Sequence, residues 1–428
     1  MTPARTICLG FLTVITVGTL LLTLPISATS GTWSNPITGL FISTSAVCVT
    51  GLAVVDIGKF YTPLGQGIIA LLAQIGGLGY MTATTFLLLF VRKRFSLREK
   101  ITLQQSLDLP GLRGSLQLVE SIIATTLIFE LTGVFALIPV FLQKYGWGES
   151  IWLAVFHSVS AFNNAGFSLF SNNLMDYVSS PALNLTITSL IIFGGIGYQV
   201  ILEGFLWLQA KIGRRSDRIQ FTLNFKVAVS TTIVLLLVGT LGILLTEFRN
   251  PAFETLSWSE KLLAAWFQSV TSRTAGFNTI DNGKMTATGL FLTIALMFIG
   301  ASPGGTGGGI KTTTIRILGA CTKATLEGRD AIYLFKRQVP STLIFKAVGV
   351  ALGSFVTVIV STALLSITEG NFTFMQILFE VVSAFATVGL STGITPNVTQ
   401  VGQLVLIGTM YVGRVGVLLL IAALVRSP

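Results

Sequence analysis

The sequence predicts an all-α membrane protein made of four pseudo-symmetric units, each with two transmembrane helices and a shorter helix between them. Three observations lead to this fold class. Hydrophobic residues make up 52% of the 428 positions and charged residues only 10%, a balance that excludes a water-soluble domain of this length. Eight long apolar runs are separated by polar loops, and a short motif ending in glycine recurs four times at nearly equal spacing.

The apolar runs are the candidate transmembrane helices. About 20 apolar residues are needed for a helix to cross the hydrocarbon core of a bilayer. The first run follows Arg5 as a secretory signal would, but its length favours a spanning helix. The eight runs lie near residues 6–28, 67–91, 118–142, 183–209, 224–247, 288–326, 341–367 and 401–425.

Between the two runs of each unit lies a half-apolar segment that is too short to cross a bilayer. Two of these segments begin with a capping box, Ser257 with Glu260 and Thr373 with Gln376, which indicates a helix. We therefore expect four short helices that enter the membrane and turn back. Their sequences are "NPITGLFISTSAV", "GESIWLAVFHSVSAF", "SWSEKLLAAWFQSVTS" and "FTFMQILFEVVSAF".

Each short segment runs into a similar motif, and the four motifs align as "SAVCVTGL", "SAFNNAGF", "VTSRTAGF" and "SAFATVGL". Four matches in register indicate an internal repeat of span, short helix, glycine turn and span. The repeat divides the chain into unit one at 1–104, which includes a cytoplasmic loop, unit two at 105–215, unit three at 216–336 and unit four at 337–428.

The net charge of +10 reflects membrane topology better than binding to nucleic acid. Basic residues concentrate in 92–117, 211–226 and 311–346, three loops between apolar runs. The positive-inside rule places these loops and both termini in the cytoplasm. Three scattered cysteines and a single histidine, His157, give neither a disulfide framework nor a metal site.

The repeat predicts a cation pore. Irregular backbone at membrane depth is tolerated where protein buries it or where it lines a watery cavity, so the four glycine turns are expected to converge on one central axis. Their backbone carbonyls can then replace the water shell of a cation, and the C-terminal ends of the short helices add negative potential. Glycine suits such a strand because other residues cannot adopt its dihedral angles.

The four motifs, together with "SRTAGFNT", "SAFATVGLSTG" and "GGIKTTT", resemble the membrane subunit of the Ktr/Trk/HKT superfamily of potassium transporters, most closely its KtrB type. This resemblance covers essentially the whole chain. It implies four M1-P-M2 units (eight transmembrane helices and four re-entrant pore helices) around one pore that carries K⁺, with Na⁺ as a possible co-ion. It also implies a homodimer in the bacterial cytoplasmic membrane and a cytosolic nucleotide-binding ring subunit as partner. A sodium-selective transporter of the same fold is the alternative.

The resemblance also implies where potassium binds. In the HKT branch, serine at the first filter position accompanies sodium preference, whereas this sequence has glycine at all four positions. The neighbouring residues are expected to offer backbone carbonyls and not side chains. The filter residues carried over are Val49, Thr50, Gly51, Asn164, Ala165, Gly166, Thr274, Ala275, Gly276, Thr387, Val388 and Gly389.

The stretch "GASPGGTGGGIKTTT" at 300–314 interrupts the sixth run. It is not a nucleotide-binding P-loop, because Ile310 and not glycine precedes the lysine. Proline and five glycines cannot continue a helix cheaply, so the span is expected to break inside the membrane. The resemblance implies a gate beneath the filter, and a passive helix kink is the alternative. The gate residues are Ser302, Pro303, Gly304, Gly305, Thr306, Gly307, Gly308, Gly309 and Lys311.

Arg414 lies in the middle of the last run, where an unpaired charge is costly. It has two interpretations: an electrostatic barrier below the filter, or a structural ion pair with Glu130 or Glu203. We expect Arg273 and Glu380 to be scaffolding groups behind the filter, with Arg273 bonding carbonyls or a carboxylate.

His157 is expected to be a packed core residue, and Asn163 and Asn164 suit either a filter scaffold or ligands at the outer mouth. A lone histidine without a serine–base or metal constellation argues against an enzyme.

Overall fold

The computed structural model describes residues 3–79, 115–213, 220–329 and 331–424. The predicted all-α class is confirmed, because helices dominate the described residues. They are α1 (Pro3–Thr23), α2 (Pro36–Val47), α3 (Ile57–Phe60), α4 (Pro63–Leu78), α5 (Ser115–Phe141), α6 (Trp147–Phe162), α7 (Pro181–Ile196), α8 (Tyr198–Ile212), α9 (Leu223–Glu247), α10 (Pro251–Glu254), α11 (Trp258–Thr271), α12 (Ala287–Phe298), α13 (Thr312–Leu326), α14 (Ser341–Thr368), α15 (Phe374–Phe385), α16 (Gln400–Val415) and α17 (Val417–Leu424).

The strands described form one small hairpin, in which β1 (Tyr333–Leu334) pairs antiparallel with β2 (Arg337–Gln338). Phe335 and Lys336 between them have φ values of 49° and 64°, as a two-residue hairpin turn requires. The predicted boundary between units three and four falls in this turn. The other two predicted boundaries, at 104/105 and 215/216, lie outside the described residues.

The fourfold repeat is visible in the order of the helices. A long first helix, a short pore helix and a second helix follow one another in each unit, with first helices α1, α5, α9 and α14 and pore helices α2, α6, α11 and α15. The four first helices are long and apolar enough to cross a membrane. Large apolar side chains on their outer faces, such as Leu20 and Leu245, are exposed, as expected for surfaces that face lipid.

The second helices do not cross as continuous rods, which corrects the predicted spans 183–209 and 401–425. α7 and α8 meet at an angle of 104° around Gly197, and α16 and α17 at 96° around Gly416. In unit three, α12 and α13 are separated by the glycine-rich loop, as predicted. In unit one, α4 ends at Leu78 with Gly79 as its C-cap, and the rest of the predicted span 67–91 lies outside the described residues.

The second helices start in the same way, and they end or break at equivalent places when residues are counted from that start. A Thr or Ser hydroxyl caps each helix by accepting a hydrogen bond from a backbone N–H one turn later. The same number of residues separates these caps, Thr62, Ser180, Thr286 and Thr399, from Gly79, Gly197, Pro303 and Gly416 respectively. The three glycines have φ values of 77°, 99° and 89°, which other residues rarely adopt.

Close contacts hold each pore helix against the first helix of its unit. In units one to three a serine hydroxyl donates to a first-helix carbonyl, in the pairs Ser43–Ile15, Ser158–Glu130 and Ser269–Leu236, at 2.7–2.9 Å. A glycine faces each serine, and a Cβ on Gly18, Gly133 or Gly239 would lie 2.3–2.4 Å from the serine oxygen. The small residues therefore fix how deeply the pore helices sit in the protein.

Candidate functional site

The four glycine strands have the same backbone conformation. The residue two positions before each glycine has a positive φ of 50–74°, and the glycine itself has a φ of 70–93°. The first set is Val49, Asn164, Thr274 and Thr387, and the second is Gly51, Gly166, Gly276 and Gly389. In each strand, two residues with positive φ thus flank one residue without it. This backbone conformation is strained, and it persists only where the surrounding structure imposes it.

The four strands meet in a closed ring. A Cβ placed on Gly51, Gly166 or Gly276 would lie 2.5 Å from the carbonyl oxygen of Ala165, Ala275 or Val388 respectively, each in the next unit. A Cβ on Gly389 would lie 2.0 Å from the carbonyl oxygen of Thr50, so unit four contacts unit one and the ring closes. Each glycine thus leaves room for a neighbouring carbonyl, and the four glycine strands lie side by side around one centre.

The filter backbone directs its N–H groups away from the ring. The residue before each glycine donates to the end of its own pore helix, in the pairs Thr50–Ser45, Ala165–Ser160, Ala275–Thr271 and Val388–Ser383, at 2.7–3.0 Å. Within the described ranges, no hydrogen bond ends on the carbonyl oxygens of the twelve filter residues. These carbonyls therefore remain available to a cation.

The same four hydroxyl residues brace the strands in two ways. Ser45 and Ser383 accept hydrogen bonds from the N–H groups of Gly51 and Gly389, both at 3.0 Å. Ser160 donates to Phe167 O at 2.9 Å, and Thr271 donates to Phe277 O at 2.6 Å. Neighbouring units one and four thus use one bracing pattern, and units two and three use the other.

Unit three departs from the predicted alignment of the motifs. The equivalent of Ser160 is Thr271 and not Val270, because Thr271 makes the matching bonds to the strand. One residue fewer therefore joins the pore helix to the strand in unit three. The shortened link contains Arg273, which is 8% exposed and directs Nη2 toward Gly300 O at 3.5 Å, the type of backbone carbonyl expected as its partner.

The glycine-rich loop of unit three, residues 300–311, lies against the inner end of the filter. Gly308 N–H donates to Thr387 Oγ1 at 3.0 Å, and a Cβ on Gly307 would lie 2.0 Å from Thr274 Oγ1. Gly309 also approaches unit four, where a Cβ would lie 3.3 Å from the Cα of Ala386. Larger residues at these positions would not fit in this conformation.

The loop is also attached to unit two and closed at its base. The N–H groups of Ser302 and Thr306 donate to the carbonyls of Gly195 and Gly194, both at 3.0 Å. At the base, Gly300 N–H donates to Ile310 O at 2.9 Å. Lys311 Nζ donates to Gly307 O at 2.7 Å, and the Ser302 and Thr312 hydroxyls are 2.9 Å apart. The loop therefore crosses from unit three to units two and four, which a local helix kink would not do.

Arg414 reaches across the inner face of the filter. Its guanidinium donates to the carbonyls of Thr306 in the loop and of Gly76 in unit one. Of the ion pairs formed by the described residues, none includes Arg414, so the interpretation of Arg414 as one member of a structural ion pair with a carboxylate such as Glu130 or Glu203 is wrong.

Those two carboxylates have other partners. Glu130 accepts from Asn163 at 3.0 Å, and Glu203 accepts from Thr222 at 2.8 Å. Counted from the helix caps, Arg414 is the unit-four equivalent of Gly77, Gly195 and Ala301, so three units carry a small residue where the fourth carries the guanidinium.

The remaining polar candidates bond to protein groups. Asn163 donates to Gln74 Oε1 at 2.6 Å as well as to Glu130. The amide of Asn164 lies 3.2 Å from Thr274 Oγ1. His157 is fully buried, as expected for a packed core residue. Both asparagines are therefore scaffolding groups, which resolves the alternative left open by the sequence.

An outer cavity of about 340 Å³ opens onto the filter from the side opposite the loop. Gly51, Gly166 and Gly389 form its floor, and polar residues including Asp56 and Asp281 line its wall. Each aspartate lies near a lysine, with Nζ–Oδ2 distances of 3.7 Å to Lys59 and 3.5 Å to Lys284. A hydrated cation could thus approach the carbonyl ring through polar surroundings.

Sequence reasoning missed the bends in the second helices of units two and four. A signal for them exists, since "GGLG" at 76–79, "GGIG" at 194–197 and "GRVG" at 413–416 share a glycine spacing. The first glycine of each presses on the end of the unit's own pore helix, where a Cβ would lie 1.7–2.1 Å from the carbonyl of Val47, Phe162 or Phe385. In units two and four the bend lies at the last glycine of the motif.

Comparison with known proteins identifies relatives along the whole chain. The model of the TrkH family, described as "Cation transport protein", matches residues 6–427. The chain is 38% identical to Ktr system potassium uptake protein B of Bacillus subtilis, over 100% of this chain and 94% of the relative. It is 36% identical to potassium/sodium uptake protein NtpJ of Enterococcus hirae, over 99% of this chain and 93% of the relative.

A solved structure has the same fold. The crystal structure of the potassium transporter TrkH from Vibrio parahaemolyticus superposes with a TM-score of 0.75, covering 97% of this chain and 85% of that one at 20% identity. This match supports the arrangement of helices described above.

Proposed function

Because the chain belongs to the TrkH family of cation transport proteins, we propose that it takes up potassium through the pore at the centre of its four units. The family consists of transport proteins and not of enzymes, and the chain is a multi-pass membrane protein. The relative from Bacillus subtilis is named for potassium uptake, and it matches this chain from end to end.

The closed ring of carbonyls is the observation that carries the proposal. Potassium loses its hydration water at moderate cost when backbone oxygens surround it, and four converging strands supply such oxygens from all sides. The filter glycines are needed because a side chain would occupy the space of a neighbouring carbonyl. The twelve residues named from the sequence are accordingly the proposed potassium site.

The loop of unit three is the proposed gate, with Ser302 to Gly309 as its moving part and Lys311 at its base. Its contacts with Thr387 and with the Gly194 and Gly195 carbonyls support a closed position in which the loop covers the inner end of the filter. Opening requires the loop to leave these contacts, and its glycines supply the necessary backbone freedom.

Arg414 is the proposed electrostatic barrier of the same gate. Its positive charge lies close to the route of a cation that leaves the filter, and it holds the loop through Thr306. A cation passes more easily when the guanidinium and the loop move aside together, because the repulsion between the two charges then falls with distance.

Sodium enters the proposal in two ways. The relative from Enterococcus hirae is named for potassium and sodium uptake, which keeps sodium as an alternative transported ion or as a co-ion. Glycine at all four filter positions favours potassium, since the ring is formed from backbone alone.

The proposed assembly is a homodimer in the bacterial cytoplasmic membrane, with both termini in the cytoplasm and a cytosolic nucleotide-binding ring subunit attached. The designation "Ktr system" of the relatives supports a multi-component transporter. Basic residues on α13 and the β1–β2 hairpin, including Arg316 and Arg337, suit a cytoplasmic surface near acidic lipids or a partner. The basic loop at 92–117 is a second proposed docking surface for the ring, and it lies largely outside the described residues.

Growth rescue tests the proposed function. The chain would be expressed in a bacterium that lacks its potassium uptake systems, with and without a co-expressed ring subunit, on medium low in potassium. We expect growth with the chain, and stronger growth with the ring. Absence of growth with protein present in the membrane, or rescue of sodium-dependent growth alone, would contradict potassium uptake.

A further inference from the structure

A single position on the pore helices has a different residue in each unit. This position holds an apolar residue in unit one and polar residues in the other units. It lies three residues before the hydroxyl residue that braces each strand, which is Ser45, Ser160, Thr271 or Ser383. The four residues are Ile42, His157, Gln268 and Glu380, and each is 0% exposed. Because a buried polar group is costly without hydrogen-bond partners, the three polar residues must be explained by what they bond.

Each polar residue bonds the segment that leaves the filter toward the second helix. We call this segment the outer loop; it comprises residues 167–178 in unit two, 277–285 in unit three and 390–398 in unit four. His157 Nδ1 bonds Leu153 O at 2.8 Å within its helix, which leaves Nε2 for Ser168 Oγ at 3.0 Å. Gln268 Nε2 donates to Asn282 Oδ1 at 2.9 Å.

Glu380 makes the most extensive of these contacts. Ser391 donates to Oε2 at 2.9 Å, and Thr395 donates to Oε1. The Ser391 and Thr395 hydroxyls are themselves 2.9 Å apart, and Ser391 Oγ accepts from Gly393 N–H at 3.0 Å. One carboxyl group thus connects the pore helix to two points of the outer loop of unit four.

The outer loops are also connected to one another. Asn282 Nδ2 donates to Ser391 O at 3.4 Å, which joins units three and four. Asn278 N–H donates to Asn173 Oδ1 at 3.3 Å, which joins units three and two. Ser168, Asn282, Ser391 and Thr395 all line the outer cavity above the ring. Ile42 cannot join this network, since its side chain has no polar atom.

We propose that Glu380, Gln268 and His157 are positioning residues that hold three filter strands at the spacing required for potassium, while the strand of unit one is held by packing around Ile42. They act through the outer loops and do not touch the ion. This inference rests on the proposed potassium pathway. Its physical basis is that a filter distinguishes ions by the spacing and field of its carbonyls, so loosening the outer ends of the strands lets the ring adapt to sodium.

The test measures potassium and sodium uptake separately in liposomes that contain the purified full-length chain. For Glu380→Leu we expect the ratio of potassium to sodium uptake to fall about fivefold while uptake itself continues. Glu380→Gln should change the ratio less than about twofold, because an amide can accept from one hydroxyl and donate to the other. Ile377→Leu is the matched control and should leave the ratio unchanged, because this buried residue lies on the same helix as Glu380 but has no polar side-chain atom to bond the outer loop. Gln268→Leu and His157→Leu should have smaller effects than Glu380→Leu. His157 makes one bond to its loop, and Gln268 makes one bond to an oxygen and a long contact of 3.8 Å with Met285 Sδ, whereas Glu380 accepts from two hydroxyl groups.

A ratio that stays at the wild-type value in an active Glu380→Leu protein would overturn the proposal. If that variant does not fold, Ser391→Ala combined with Thr395→Val removes the same bonds from the loop side. The expected result is again a lower ratio, and an unchanged ratio again overturns the proposal. Failure of the proposed function is a separate outcome, because then the wild-type chain itself would not take up potassium.

Discussion

The filter and the region just inside it are formed by the same four units, yet they differ in symmetry. In the filter each unit contributes a left-handed residue, a carbonyl and a glycine in the same relation to its neighbour. Just inside, three units carry the small residues Gly77, Gly195 and Ala301, whereas unit four carries Arg414. Among the second helices that are described on both sides of their break, only that of unit three has a loop, at 300–311, between its two half-helices.

This difference separates two physical tasks. A ring that replaces a hydration shell needs similar ligands on all sides, so every unit must keep the same backbone conformation. An element that closes a path can come from one side and needs only to reach the axis. The four units therefore keep the same conformation where the ion would bind and differ where its passage would be controlled. Four predictions test this difference.

The largest effect is expected from a side chain in the ring. In Gly389→Ala the new Cβ would lie 2.0 Å from Thr50 O at a residue with a φ of 90°. We expect potassium uptake to fall about tenfold or more, because both the backbone strain and the collision disturb the ring. Gly393→Ala is the matched control, since Gly393 has a φ of 91° and nothing within 4 Å. Equal losses in the two variants would show that backbone strain alone explains the effect and that the ring contact is unimportant.

The next effect should come from the loop. A deletion of Ser302 to Gly309 joins Ala301 directly to Ile310. The two ends already lie close together, because Gly300 N–H donates to Ile310 O. We expect uptake to rise about fivefold, because the closed position is lost. Gly308→Ala should act in the same direction more weakly, since its Cβ would lie 2.5 Å from Thr387 Oγ1, whereas Gly319→Ala in α13 has open space and serves as control. A well-folded deletion with equal or lower uptake would count against a gate.

Arg414→Ala should have a smaller effect in the same direction. The substitution removes the charge and the bonds to Thr306 and Gly76, but the loop keeps its contacts with Thr387 and unit two. We expect uptake to increase about twofold to threefold. Arg414→Lys retains the charge and should lie between the wild type and the alanine variant. Unaltered transport by Arg414→Ala would remove the barrier role.

The smallest effect on transport is expected at the start of the second helices. Glu369 accepts hydrogen bonds from the N–H and hydroxyl groups of Thr399, and Glu247 does the same for Thr286 in unit three. Glu369→Gln should lower the free energy of unfolding by about 1 kcal/mol, measured as a lower melting temperature, with no change in the potassium to sodium ratio. A changed ratio at an unchanged melting temperature would show that these carboxylates influence the filter directly.

The strict repeat is also what made the meeting of the four glycine strands predictable from sequence. The glycines and their neighbours recur in register, and a backbone that excludes side chains restricts the residue type. The break in unit three was equally readable, since Pro303 and the glycines after it cannot extend a helix. By contrast, the bends at Gly197 and Gly416 lie within strongly apolar runs, where composition satisfies a straight span as well as a broken one.

Arg414 and the register of unit three illustrate what sequence could not provide. The partners of Arg414 are backbone carbonyls from two other units. Every residue type has a backbone carbonyl, so the sequence does not indicate which ones bond the guanidinium. The link between the pore helix and the strand is one residue shorter in unit three. An alignment on the four glycines does not reveal this, because it pairs Val270 and not Thr271 with Ser160. Both depend on distances between units, which the spacing along one chain does not fix.

Ion competition tests the central claim most directly. The purified chain would be placed in liposomes, and uptake of radioactive rubidium, which follows the potassium route, would be measured with increasing unlabelled potassium or sodium outside. If backbone carbonyls of the four strands bind the ion and side chains do not, potassium should suppress the uptake at a far lower concentration than sodium does. Suppression at equal concentrations of the two ions would contradict potassium selection by this ring.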